Sequence, residues 1–133
     1  MKYKPKDGEK VRTTRCTIAS ATEISAGDLV AIDSGLIIKA VAASTAIGWT
    51  PQGSEVGDTV IEVSVGNDFT LVGTGDAVFA VSYKGGEYDI NDTTQTIDFG
   101  ASSTDVLKVS ISESAGTVDS ASNIEVKINK PLF

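Results

Sequence analysis

Ile124-Glu125-Val126-Lys127-Ile128-Asn129 alternates apolar and polar side chains at every step, which puts Ile124, Val126 and Ile128 on one face of an extended strand. Val106-Leu107-Lys108-Val109-Ser110-Ile111-Ser112 repeats the pattern with Leu107, Val109 and Ile111 together, and Val60-Ile61-Glu62-Val63-Ser64-Val65 does so again. One apolar face at period two is the signature of half-buried antiparallel strands. Helix formers nowhere accumulate at i, i+3, i+4 spacing; Gly, Thr, Ser, Val and Ile dominate instead. The fold class that follows is all-β.

The punctuation between the runs agrees. Tyr83-Lys84-Gly85-Gly86-Glu87-Tyr88 joins two short apolar runs through a Gly-Gly pair, a hairpin signal because both glycines accept positive φ. Ser114-Ala115-Gly116-Thr117 opens a longer polar loop before the last strand. Gly27-Asp28, Gly57-Asp58 and Gly75-Asp76 each stand just before a strand, as a turn would use them: glycine takes the left-handed conformation and the carboxylate accepts a nearby backbone N–H. Strands are expected near residues 13–20, 28–33, 36–41, 46–49, 58–65, 68–72, 77–83, 87–90, 106–112 and 123–129. Together they predict a single small β-barrel or β-sandwich domain of about eight to ten short, mostly antiparallel strands. Residues 13–133 form this body, and residues 1–12 an extended basic N-terminal arm.

The chain has 133 residues, enough for one domain with its own core. Its mean hydropathy is +0.05 and no apolar run approaches the ~18 residues of a membrane span. Met1-Lys2-Tyr3-Lys4-Pro5-Lys6 is basic but leads into polar residues, so it does not read as a secretory signal. Charge is unevenly spread. Residues 1–15 carry Lys2, Lys4, Lys6, Lys10, Arg12 and Arg15 against Asp7 and Glu9, a balance of +4; the other 118 residues hold five cations against sixteen carboxylates, a balance of −11. Such an asymmetry points to an arm that meets a partner and a body that faces water.

Catalytic groups are scarce. There is no histidine, which removes the Ser-His-Asp and Cys-His constellations and the common zinc sites. No P-loop and no Gly-x-Gly-x-x-Gly opening a helix occurs. Cys16, the single cysteine, lies in the β-branched run Thr13-Thr14-Arg15-Cys16-Thr17-Ile18 and reads as a small strand residue. The carboxylates fall at turns (Asp28, Asp58, Asp76) or on the polar side of strands (Glu62, Glu125), not as a glycosidase pair. Asp89-Ile90-Asn91-Asp92 gathers oxygens but lacks the EF-hand spacing, so it reads as a solvated loop. Nucleic-acid binding on the body is opposed by its negative charge. The expectation is a non-enzyme with no catalytic residue, metal or cofactor, and with neither nucleic acid nor membrane as partner.

Lys4-Pro5-Lys6-Asp7-Gly8-Glu9-Lys10 has no apolar partner for packing and is expected to be extended or disordered until it meets a binding surface. Glu23-Ile24-Ser25-Ala26-Gly27-Asp28-Leu29-Val30, Ala40-Val41-Ala42-Ala43, Ala46-Ile47-Gly48-Trp49, Val56-Gly57-Asp58-Thr59-Val60-Ile61-Glu62-Val63, Gly75-Asp76-Ala77-Val78-Phe79 and Ile124-Glu125-Val126-Lys127-Ile128 follow in order. In this style of short turns and strands, across roughly residues 20–130, the chain resembles the small bacteriophage capsid decoration, or cement, proteins. The resemblance implies a homo-oligomer, a trimer or less often a dimer, made in the host cytoplasm and bound through the major capsid protein to the outer surface of the virion. Lys2, Lys4, Lys6, Lys10, Arg12 and Arg15 are the residues expected to touch the capsid. A rival reading is a carbohydrate-binding or host-recognition module of a spike or secreted protein, with Trp49, Tyr83 and Tyr88 as stacking platforms. A third is a tail or baseplate subunit.

Overall fold

The computed structural model describes all 133 residues. The chain is all-β, with no α-helix and a single 3-10 turn at Val81–Tyr83. The strands are β1 (Lys4–Pro5), β2 (Thr13–Thr17), β3 (Leu29–Asp33), β4 (Leu36–Lys39), β5 (Gly48–Trp49), β6 (Val60–Ser64), β7 (Leu71–Gly73), β8 (Glu87–Ile90), β9 (Ile97–Asp98), β10 (Leu107–Val109) and β11 (Ile124–Ile128). They form a six-stranded sheet in the order β1-β7-β11-β10-β8-β9, a three-stranded sheet β4-β3-β5, and a two-stranded ladder β2-β6. Every ladder is antiparallel. None of the sheets closes into a barrel; a single parallel bridge from Gly75 to Ile97 curls the far edge of the large sheet back toward the segment after β7.

β3 carries a continuous apolar run because both of its faces are covered. Leu29 and Ala31 enter the main core with Leu71, Leu107, Val126 and Ile128 of the large sheet. Val30 points the other way, into a second cluster with Ile37 of β4 and Ile61 and Val63 of β6. The β3–β4 hairpin turns through Ser34 (φ 51°) and Gly35 (φ 83°), the two positive φ angles of a type I′ turn.

The Gly-Asp turns divide. Asp28 accepts the Ser25 N–H and Asp58 the Glu55 N–H, each at 2.9 Å, with Gly27 and Gly57 both at positive φ. These twin turns are joined by a reciprocal pair of backbone bonds between Ile24 and Ser54. Gly75 has no positive φ, and Asp76 instead accepts the N–H of Phe99.

Three expectations are corrected. Residues 77–83 are not a strand: the chain makes one bridge at Phe79, to Val118, and then the 3-10 turn. Of the two hinge glycines only Gly85 has positive φ, and it donates its N–H to Val109, so β8 pairs with β10 and β9 instead of with residues 77–83. The strand around Val109 ends there, and Ile111 is 79% exposed.

A second carboxylate holds the main sheet to its loops. Asp89 of β8 is buried and accepts backbone N–H bonds from Ser103 (3.1 Å), Thr104 (2.8 Å) and Asp105 (2.9 Å). Burial alone would push its pKa up; the three donors outweigh it and hold the carboxyl below its usual range. A depressed folded-state pKa contributes stability that is present above the unfolded value and lost as pH falls through the folded one. Asp89→Asn should therefore cost about 2 kcal/mol at neutral pH. In urea titrations its deficit should shrink as the pH is lowered into the range where Asp89 itself takes up a proton.

Candidate partner-binding surface

The basic segment is extended, but its first half is not free. Tyr3 is 1% exposed and sits in the main core, where its hydroxyl donates to the Gln95 carbonyl at 2.7 Å. Its ring packs against Gly73, where a Cβ would clash with it. β1 pairs with β7, and the Lys6 N–H donates to the Thr70 carbonyl. What disorder offered in entropy is outweighed by burying one large aromatic ring.

The cations consequently separate into two sets. Lys2 lies 3.4 Å from Oδ1 of the buried Asp28, and Lys39 lies 3.3 Å from Oδ2. Burial, then the neighbouring Lys39, holds the Lys2 ammonium below its ordinary pKa. Lys6 is 3.3 Å from Glu125 and bonds the Ser114 hydroxyl. Lys4, Lys10, Arg12 and Arg15 remain exposed, and no carboxylate comes within 4.0 Å of them. Arg12 and Arg15 lie along β2 and just before it; Arg15 stands across the ladder from Glu62 without closing an ion pair.

The three aromatic residues named for sugar stacking are not one platform. Trp49 is 3% exposed and donates its indole N–H to the Tyr3 carbonyl at 3.0 Å, so it offers no face to a ring. Tyr83 and Tyr88 meet edge to face at 5.9 Å and are both half-buried. Phe99, which sequence reasoning missed, stacks on Tyr83 at 4.1 Å and meets Tyr88 edge-on at 5.2 Å. Burial, then the nearby Tyr83, raises the Tyr88 pKa.

Other polar groups are spent on the fold. Cys16 is half-buried in β2, where burial first and Glu62 second push its thiol up, opposite to what a nucleophile needs. In the Asp89–Asp92 stretch, Asn91 accepts the Thr93 N–H and Asp92 the Ala42 N–H. No three or more carboxylate or thiol side chains converge as a metal set. Glu125, expected on the polar face of its strand, is only 6% exposed and joins Lys6 and the Ser112 hydroxyl in a hydrogen-bonded network under the N-terminal segment. Gln95 was also missed. It is fully buried, and its amide accepts the Leu29 N–H while donating to the carbonyls of Leu29 and Ala40.

Comparison of the chain with protein-family models, with curated proteins and with solved structures finds no match in any of the three.

Proposed function

We propose that this chain is a virion structural protein that binds the outer surface of a mature phage capsid and stabilises it, acting as a homotrimer with a layered, sandwich-like body. The observation that carries the reading is the exposed set Lys4, Lys10, Arg12 and Arg15. These cations find no ion-pair partner on their own domain although it is strongly acidic. Surface cations left free beside so many carboxylates are suited to an external acidic partner. A protein that binds the mature shell and not its precursor stabilises the former by mass action, and many copies multiply a modest energy per site.

The test is mass determination in solution, followed by mixing with expanded, undecorated capsids of the virus that encodes the chain. A trimer that pellets with the shells and raises their disruption temperature is the expected result. A monomer left in the supernatant would sink the proposal. One observation favours a second reading, a carbohydrate-binding module: the half-buried Tyr83–Tyr88–Phe99 cluster. Glycan-array binding lost on Tyr88→Ala would support it, whereas Trp49→Ala would only disturb the core.

A further inference from the structure

We propose that the outer edge of β2 receives an extended acidic segment of the capsid subunit as an added strand; this rests on the capsid reading above. The register with β6 determines which backbone groups are free. The Ile18 N–H donates to the Thr59 carbonyl and the Val65 N–H to the Arg12 carbonyl, while the ladder pairs Thr14 with Val63 and Cys16 with Ile61. Bonding in an antiparallel pair alternates, so Arg12, Thr14, Cys16 and Ile18 turn their peptide groups toward β6. Thr13 and Arg15 turn theirs away.

No strand pairs with them on that side. On that side the far end of the segment meets β4, where Ile18 bridges Ile37 and the Ala19 N–H donates to the Ile37 carbonyl. The N–H and C=O of Thr13 and of Arg15 are thus an open edge, and both residues are exposed. An open edge is a template for another strand.

Charge selects the occupant. Lys10, Arg12 and Arg15 flank the edge and lack ion-pair partners. A second copy of the chain, paired edge to edge, would crowd both sets of these cations into one short ladder, and like charges opposed across a ladder are unfavourable. An acidic strand brings the missing carboxylates instead. The contact is short, so its weight lies in repetition over the capsid lattice.

The test uses the full chain, expanded capsids and two variants. Thr13→Pro removes an outward N–H and leaves every bond to β6 in place. Arg15→Gln removes an exposed charge without setting a second carboxylate across the ladder from Glu62, so it retains the fold even where the proline does not. Each should weaken capsid binding about tenfold. In the wild-type protein, the Thr13 and Arg15 amides should exchange fast with solvent when free and become protected on the shell, while Thr14 and Cys16 are protected in both states. Wild-type binding with unchanged variants and fast Thr13 and Arg15 exchange on the shell overturns this inference and leaves the capsid reading standing. A wild-type protein that ignores the shells overturns both.

Discussion

Gln95→Leu should lower the unfolding free energy by about 3–5 kcal/mol, although the new side chain is similar in size and apolar. The buried amide acts as a substitute strand residue for β3. Its Oε1 accepts the Leu29 N–H at 2.9 Å, and its Nε2 donates to the Leu29 and Ala40 carbonyls at 2.8 Å each. Leucine can make none of these bonds. The Leu29 carbonyl keeps the Ala40 N–H, but the Leu29 N–H and the Ala40 carbonyl would be stranded in the core. Each buried group left unsatisfied costs about 1–3 kcal/mol. A domain of this size has only about 5–15 kcal/mol in total. The urea midpoint should fall sharply at unchanged slope. A loss under about 1 kcal/mol would mean that the backbone finds other partners, and the amide would not be the staple between the two sheets.

Tyr3→Ala should cost about 4 kcal/mol, the usual toll for emptying a large aromatic site in a core. Tyr3→Phe keeps the packing and loses only the bond to the Gln95 carbonyl, about 1 kcal/mol. The acceptor is the main-chain carbonyl of Gln95, so Gln95→Leu leaves this bond in place and the two substitutions remove different hydrogen bonds. If Tyr3→Ala unfolds at the wild-type urea concentration, the N-terminal segment is dispensable to the fold. As the structure stands, removing residues 1–12 would extract a core side chain along with the cations. Loss of capsid binding by that deletion would therefore say little about charge, which is why single exposed residues of β2 are the better probe.

These two residues also mark where the sequence stops being legible. Alternation in residues 124–128 located a strand and its inward face, because every second residue reports burial directly. It misread Glu125, since β11 lies between β7 and β10 and its second face is roofed by Lys6 and the Ser112 and Ser114 hydroxyls. Ile111 continued the pattern of β10 but lies past its end, where nothing covers it. Tyr3 is surrounded in sequence by lysines and proline, and its partner is 92 positions away, so no local pattern could reveal it as core. Gln95 sits among threonines at φ 57°, as a loop residue would. The positive balance of residues 1–15 was plain from composition, but its division into paired and free cations depends on Asp28 and Glu125, which only the fold brings near.

The placement of β11 has a consequence for how the molecule comes into being. β11, residues 124–128, emerges from the ribosome after the ten other strands and occupies an inner position of the large sheet, hydrogen-bonded on both sides. Until it arrives, β7 and β10 have no common neighbour and the core they share stays open. Vectorial growth of the chain thus yields no stable half-product. The nascent polypeptide waits, with adhesive strand edges exposed, and then folds in one late cooperative step dominated by distant pairings. Heavy synthesis of such a chain would place its greatest demand on chaperones just before residues 124–128 emerge.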